Sequence, residues 1–357
     1  MIAAVAAVSV GLAVGPAFAG DAVMWGEEAR NGAARVMIGG PGREPVLVHR
    51  LGPPTARETE RGFYGTTQVF AASSERFAAI VSTSTVIFEE PDSFSSASSN
   101  ALISGRFNGP VDVLSGSLPR RGDQGCGRRP VYEAPDAVDV DGDRVAFGQF
   151  SDECTADNGP WDDSVVVVTN GVRTTIPTGS QGLIRDVALA GRYVGWVRES
   201  RGLGADELVV RDLEAGADVI RLTVDDLATR RFDELALQDD GTVAFVYSNR
   251  NFSRIAWAKP GTPGARLLDR GRFEDLALAG GRVLYERTVS ERRFTGELIL
   301  RSPADGTARR LAFFPERRRR VGHVDLETTR ATWATQPMRR GYEPRPRGPA
   351  RIVVRDL

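Results

Sequence analysis

The chain has 357 residues, of which 41% are hydrophobic, so it can bury a substantial core. Its formal net charge of −1 gives no overall field that would select nucleic acid or an anionic membrane surface. A length of this size would ordinarily suggest two domains, although a closed repeat fold can hold it in one.

The first fifteen residues are small and apolar, and they allow two interpretations. Followed by Ala17-Phe18-Ala19, they resemble the remnant of an export signal, although no Lys or Arg lies near Met1. Alternatively, Ile2–Val10 supplies an outer strand that closes a ring. The stretch is at the short limit for a membrane span and contains Gly and Pro, so no stable membrane span is predicted.

One unit recurs along the chain and is clearest at Val187–Leu222, which reads as four short strands separated by turns. Its apolar residues alternate at period two, as in half-buried strands. Related units begin near residues 69, 138, 187, 235, 276 and 324. Apart from one long interval that holds an insertion, this spacing is typical of propeller blades. A sheet of four short strands cannot bury enough surface alone, so the units must stack.

The repeats predict an all-β chain, a β-propeller with seven four-stranded blades, or six as the alternative. The predicted blades span about residues 17–51, 67–118, 137–178, 186–223, 234–268, 275–311 and 323–357, within a single domain covering 16–357. Ser93–Asn100 (SFSSASSN) is predicted to form a flexible loop. The C-terminal segment ARIVVRDL matches the third strand of blade 4, so blade 7 lacks a fourth strand. Because an unpaired edge invites unwanted pairing, Ile2–Val10 is expected to pair with Arg351–Arg355.

The alignment places an aromatic residue at the same point of the second strand in six blades, where burial between blades is expected. These residues are Trp25, Phe147, Trp196, Phe245, Tyr285 and Trp333.

Three segments resemble the repeat of TolB-like propellers: Asp240–Val246 (DGTVAFV), Glu207–Leu213 (ELVVRDL) and Arg309-Arg310-Leu311. The resemblance covers blades 3 to 7 and is weak in blades 1 and 2. It implies a propeller from a family that is often exported and often serves as a binding module. The motif is a signature of the fold and implies no catalytic residue.

Sequence motifs for catalysis or metal binding are sparse. Asp139-Val140-Asp141-Gly142-Asp143 begins like a calcium loop, but Arg144 and Phe150 occupy positions where the EF-hand pattern requires Gly and Glu, so we interpret it as a turn. The two histidines, His49 and His323, lie in different blades and do not make a zinc site. No catalytic residue, metal or cofactor is predicted. Acids with raised pKa values in the central channel would favour an enzyme acting on polysaccharide or peptide.

Cys126 and Cys154 are the two cysteines, and we predict that they form a disulfide. The connector that enters blade 3 and the loop between its second and third strands emerge on the same face of a propeller. An even cysteine count also suits an extracytoplasmic, secreted or periplasmic location.

The same face carries charge of both signs. The acidic loop 152–163 contributes Trp161, Asp162 and Asp163. The basic segments contribute Arg317, Arg318, Arg319, Arg320, Arg339, Arg340 and Tyr342. These are either solvated loops or a surface that binds a protein, peptide or glycan. The acidic loop argues against nucleic acid. The sequence therefore predicts a monomeric interaction module without a cofactor, with a channel enzyme as the alternative.

Overall fold

A computed structural model describes most of the chain. The described residues are 2–7, 13–28, 34–40, 43–51, 62–73, 76–90, 93–106, 109–116, 132–152, 162–180, 182–200, 205–227, 229–249, 252–290, 295–315, 318–339, 345–346 and 350–357. Over these residues the fold is all-β, with seven antiparallel sheets arranged as blades of a propeller. The predicted fold class is confirmed, and the six-bladed alternative is wrong. Within the described ranges, no helix is long and apolar enough to cross a membrane.

The first three blades each contain four strands that follow one another in the chain. Blade 1 is formed by β2 (Ala13–Ala19), β3 (Ala22–Glu28), β4 (Ala34–Gly40) and β5 (Arg43–Leu51). Blade 2 is formed by β6 (Gly62–Ala72), β7 (Arg76–Glu90), β8 (Ser93–Arg106) and β9 (Val111–Gly116). Blade 3 is formed by β10 (Tyr132–Asp141), β11 (Arg144–Asp152), β12 (Asp162–Thr169) and β13 (Val172–Ser180).

The next three blades repeat the same order, from an innermost first strand to an outermost fourth. Blade 4 is formed by β14 (Gly182–Ala190), β15 (Tyr193–Ser200), β16 (Glu207–Asp212) and β17 (Ala217–Thr223). Blade 5 is formed by β18 (Arg231–Leu237), β19 (Val243–Ser248), β20 (Ser253–Ala258) and β21 (Arg266–Gly271). Blade 6 is formed by β22 (Phe273–Ala279), β23 (Arg282–Ser290), β24 (Thr295–Arg301) and β25 (Ala308–Phe314).

Blade 7 joins the two ends of the chain. It contains β26 (Arg318–Leu326), β27 (Arg330–Arg339), β29 (Arg351–Asp356) and, outermost, β1 (Ile2–Ala7), while the short β28 (Arg345–Pro346) pairs with β27. β1 runs antiparallel to β29, from Ile2 opposite Arg355 to Ala7 opposite Arg351. The predicted pairing with Arg351–Arg355 is therefore present over Ile2–Ala7. Export of the chain stays a prediction.

One prediction about blade 2 is wrong. Ser93–Asn100 belongs to strand β8 and pairs with β7, with Phe94 opposite Phe88 and Asn100 opposite Ser82. The segment of β7 that faces it is rich in Val, Ile and Thr, which favour strands. Ser93–Asn100 therefore pairs as a strand, although its own composition is typical of a loop.

The core lies between blades, and the predicted aromatic residues occupy it. Trp25, Phe147, Phe245 and Tyr285 are fully buried, and Trp196 and Trp333 are almost so. Trp196, for example, packs in a cluster with Ala137 and Val165 of blade 3 and Val187 of its own blade. Packing of each blade on the next therefore supplies the burial that a single sheet lacks.

The two faces of the propeller are distinguished by strand direction. The upper face, as we call it, contains the connectors between blades and the loops between second and third strands. The lower face contains the turns between first and second strands and between third and fourth strands. Every innermost strand also carries a β-bulge at a corresponding point, which redirects its side chains at the channel.

Candidate functional site

The innermost strands surround a central cavity of about 260 Å³. Most of the residues that line it are apolar, such as Ala17, Val187 and Leu235, but polar atoms make up the larger part of the exposed wall. Carboxylate side chains lie among the apolar ones. They belong to Asp139, Asp141, Asp186, Glu234, Asp275 and Asp325.

The inner edge of each first strand poses a physical problem. A first strand pairs only with the second strand of its own blade, so half of its backbone N–H groups point toward the channel or the neighbouring blade. A buried N–H group without an acceptor costs about 1–3 kcal/mol. The channel carboxylates accept hydrogen bonds from several of these N–H groups.

Asp139 of blade 3 shows the arrangement. Its Oδ1 accepts the N–H of Val140, the next residue, at 2.8 Å, and its Oδ2 accepts the N–H of Leu189 in blade 4 at 2.7 Å. One carboxylate thus bonds two inner-edge amides that belong to neighbouring blades. We call this arrangement a carboxylate tie.

The same tie recurs around the ring. Asp186 accepts the N–H of the following residue at 2.9 Å and that of Leu235 in blade 5 at 2.7 Å. Asp275 likewise accepts the next N–H at 3.1 Å and that of Val324 in blade 7 at 2.7 Å. The carboxylates therefore join blade 4 to blade 5 and blade 6 to blade 7.

Asp325 extends the series across the point where the ring closes. Its Oδ1 accepts the N–H of Leu326 at 2.7 Å, and its Oδ2 accepts the N–H of Phe18 in blade 1 at 2.6 Å. This bond links residues far apart in sequence. Blade 7 is therefore fixed to blade 1 by a tie, and it also contains β1, the strand that precedes blade 1 in the chain.

The tie can be built from either of two positions on the innermost strand. Asp186 lies at the β-bulge. Asp139 corresponds instead to Ala188 of blade 4, two residues further along the strand, as the pairing of each first strand with its second strand shows. Residues two apart on a strand point to the same side, so both positions place a carboxylate at the inner edge. In each case the acid bridges its own following amide and the corresponding amide of the next blade.

Two of the tie residues have shifted pKa values. Removal from water raises the pKa of Asp139 and that of Asp325 to about 7, and this outweighs the amide hydrogen bonds, which favour the charged form. Neighbouring acids raise both pKa values further: Asp325 and Asp186 act on Asp139, and Glu327 and Asp275 act on Asp325. A carboxyl group with a pKa near 7 can take up or give a proton at neutral pH. Here, however, both of its oxygens already accept backbone amides.

The segment that begins like a calcium loop forms the turn after β10. Asp141 accepts the N–H of Gly191 in blade 4 at 2.9 Å and forms an ion pair with Arg144 at 2.5 Å. Gly142 has a φ of +60°, which suits a tight turn. Across the described residues, no three His, Cys, Asp or Glu side chains are placed to hold a metal ion.

The predicted basic residues lie partly in strands. Arg318, Arg319 and Arg320 open β26, and Arg339 ends β27, whereas the sequence suggested connector and loop. They remain at the upper end of blade 7. Their pairing with β27, from Arg318 opposite Pro337 onward, explains the difference, because the innermost strand begins earlier than its apolar core.

The predicted acidic residues open strand β12. Asp163 is buried, at 2% exposed, and its carboxylate lies 3.6 Å from the guanidinium of Arg198 in blade 4. Arg198 in turn lies 3.8 Å from Glu207. Asp163 therefore contributes to a buried charge network between blades 3 and 4. Binding roles for Asp162 and Asp163 stay predictions.

Several predicted residues lie outside the described ranges. They are Cys126, Cys154, Trp161, Arg317, Arg340 and Tyr342. The disulfide and the part of the binding surface built on these residues stay predictions.

No family model matches the chain, and no curated protein matches it. The fold is shared with solved structures of low sequence identity. A puromycin-hydrolyzing peptidase of Mycobacterium tuberculosis has a TM-score of 0.61 at 16% identity, over 98% of this chain and 52% of that chain. An acylaminoacyl peptidase of Pyrococcus horikoshii has a TM-score of 0.54 at 12% identity, over 93% of this chain and 51% of that chain.

TolB from Acinetobacter baumannii is also similar, with a TM-score of 0.44 at 15% identity, over 77% of this chain and 58% of that chain. The chain thus spans about half the length of the solved chains that it matches. At these identities the likeness shows the propeller fold alone.

Proposed function

We propose that this protein is an extracytoplasmic interaction module that binds a protein or peptide on its upper face. The observation that carries the proposal is the engagement of the channel acids. Asp139, Asp186, Asp275 and Asp325 each use both carboxylate oxygens on backbone amides. Acids that tie the blades together cannot act on a substrate without loosening the ring.

The size of the channel supports the same function. Its volume of about 260 Å³ is below the range of roughly 300–1,000 Å³ that is typical of small-molecule sites. So small a cavity favours a structural role for the channel over turnover of a polysaccharide chain.

The charged residues of the upper face favour a partner whose own charges are arranged in the complementary order. Arg318–Arg320 and Arg339 lie at the upper end of blade 7, and Asp162 lies at the upper end of blade 3. Because these residues have opposite formal charges and lie on separate blades, the face has a positive side and a negative side. Such complementarity speeds association and sets orientation more than it raises affinity.

Affinity capture from the native envelope or medium tests the proposal. Three baits are compared: the wild type, an Arg318→Ser/Arg319→Ser/Arg320→Ser variant, and a lower-face control, Arg309→Ser. We expect a partner that the wild type and the control retain and that the triple variant loses. Equal retention by all three baits would place the binding site elsewhere.

A channel enzyme is the second candidate, and the pKa values of about 7 at Asp139 and Asp325 favour it. It predicts turnover of a glycan or peptide substrate that is lost in both Asp139→Asn and Asp325→Asn while the fold persists. If the wild type turns over none of a broad panel of glycans and peptides, this candidate fails.

Two further measurements test export of the chain and formation of the disulfide. Mass spectrometry of the native mature protein gives the N-terminus, and a start after Gly15 would show cleavage of a signal and loss of β1. An intact Ile2 would instead support ring closure by this strand. Peptide mapping without reduction shows whether Cys126 and Cys154 are joined.

A further inference from the structure

The upper end of blade 5 carries a basic and aromatic surface. It consists of Arg230, just before β18, Phe252, just before β20, Arg254 in β20, and Arg270 in β21. We call these four residues the blade 5 patch. No sequence motif marks it, because its members come from four separate segments.

Arg254 is held between two aromatic rings. Its guanidinium carbon lies 5.0 Å from the centre of the Phe252 ring and 5.9 Å from that of the Tyr247 ring. Tyr247 is buried, whereas Phe252 is 40% exposed. Cation–π contact restricts the Arg254 side chain, so binding of a carboxylate to its guanidinium costs less side-chain conformational entropy.

Arg270 adds a second positive charge beside the first. Arg254 is the register partner of Arg270 on one side and of Tyr247 on the other, so the three side chains share one face of the sheet. Like charges directly opposite each other are destabilising. Among the described residues, no acidic side chain forms an ion pair with either arginine.

The acid that is nearest in sequence faces the other way. Asp269 precedes Arg270 on β21, and its carboxylate accepts the hydroxyl of Tyr285 in blade 6 at 2.6 Å. It also lies 3.6 Å from the guanidinium groups of Arg287 and Arg301. Asp269 therefore interacts with side chains of blade 6, and it does not neutralise the positive charge of the patch.

Backbone hydrogen bonds place a third arginine at this end. The N–H of Arg230 donates to the carbonyl of Ser248 at 3.1 Å, and the hydroxyl of Thr229 donates to the same carbonyl at 2.6 Å. The Arg230 side chain is exposed. Its neighbour Arg231 is already paired with Asp233 at 2.6 Å, so we leave it out of the patch.

Negative charge limits the patch on one side. Asp225 and Asp226 are exposed in the turn that leads to Arg230. A long polyanion such as nucleic acid would meet this repulsion, whereas a short acidic segment would not. The exposed ring of Phe252 also offers an apolar contact that a purely anionic ligand would not use.

We infer that the blade 5 patch binds a short acidic peptide segment that carries one apolar or aromatic side chain. Carboxylates of the peptide bind Arg254, Arg270 and Arg230, and the apolar side chain packs on Phe252. Arginine suits this task because its planar guanidinium can bind a carboxylate through two hydrogen bonds. The inference rests on the proposed function and names the partner chemistry of the upper face.

Fluorescence anisotropy with a labelled peptide of sequence DEFEDSE tests the inference on the full chain. We expect saturable binding that weakens as salt rises, because the Debye length shrinks. An Arg254→Gln/Arg270→Ser variant should lose at least about tenfold in affinity, and the exposed single variant Arg270→Ser about threefold. Arg309→Ser, on the lower face, should bind as the wild type does. A peptide with Ser in place of Phe should bind more weakly.

Four results would overturn the inference. The first is absence of binding by the wild type at millimolar peptide. The second is unchanged affinity in both the double variant and Arg270→Ser. The third is binding of a sulfated oligosaccharide, but not of the peptide, at these arginines. A captured partner that the Arg254/Arg270 variant retains and the Arg318–Arg320 variant loses would overturn this patch and leave the proposed function standing.

Discussion

Replacing Asp275 with alanine removes one carboxylate tie between blades 6 and 7. The side chain is 8% exposed and accepts the N–H of Leu276 at 3.1 Å and that of Val324 at 2.7 Å. The residue also has a φ of +75°, a left-handed conformation that Asp and Asn adopt more readily than alanine. The substitution therefore removes two hydrogen bonds and adds backbone strain.

The expected loss follows from these two effects. Hydrogen bonds to a charged group contribute about 1.5–3 kcal/mol each, and a left-handed alanine costs about 1–2 kcal/mol. Removal of a buried charge offsets part of this sum. We expect Asp275→Ala to lower the free energy of unfolding by about 3 kcal/mol. Asp275→Asn keeps one acceptor oxygen and tolerates the φ value, so it should cost about 1–2 kcal/mol.

Equilibrium unfolding in urea measures the effect. The matched control is Glu274→Ala, an exposed neighbour on the same strand, which should change the free energy of unfolding by less than about 0.5 kcal/mol. If Asp275→Ala destabilises the protein no more than Glu274→Ala does, the carboxylate does not tie the blades, and the argument for a structural channel fails.

The remaining predictions address pH, packing and association. Because burial raises the pKa of Asp139 and of Asp325 from 3.8 to about 7, the stability they add is full below pH 4 and is lost as pH rises through 7. Thermal unfolding should therefore show a lower melting temperature at pH 8 than at pH 5, with a smaller change in the Asp139→Asn/Asp325→Asn variant. Trp196→Ala should cost about 3–5 kcal/mol in denaturant unfolding, and a cost below about 1 kcal/mol would contradict burial between blades. Gly148→Ala places a methyl group 2.7 Å from Ile184 of blade 4 and should cost about 1–3 kcal/mol; no loss would show that the blades can shift apart. Replacing Arg318–Arg320 with Ser should slow association with a captured partner and weaken its salt dependence, measured by surface plasmon resonance, with unchanged stability.

The blades could be predicted from the sequence because their signal is repeated. Each blade places an alternating apolar strand and a tight turn at a similar spacing, so seven weak patterns support one another. The missing fourth strand of blade 7 also followed from the match between its C-terminal strand and Glu207–Leu213 of blade 4. The Ser-rich half of β8 could not be predicted, because its pairing depends on the β-branched strand that faces it.

The candidate site was harder to predict because it depends on contacts between blades. The ties at Asp139 and Asp186 lie two residues apart in the repeat, so no single column of an alignment reveals them. A signal was nevertheless present, since Asp139, Asp186 and Asp275 each lie 49 or 50 residues before the residue of the next blade whose amide they accept. Asp163 resembled part of an acidic loop, and only the three-dimensional arrangement places it against Arg198.

Hydrogen exchange of the protein with and without a captured partner distinguishes binding at the upper face from binding in the channel. Binding at the upper face predicts slower exchange at segments such as Ser248–Arg254 and Arg318–Arg320, with no change at the channel-lining segments Val187–Leu189 and Leu276–Leu278. Slowed exchange confined to the innermost strands, at Val187–Leu189 and Leu276–Leu278, would show that the ligand enters the channel and would contradict an upper-face binding module.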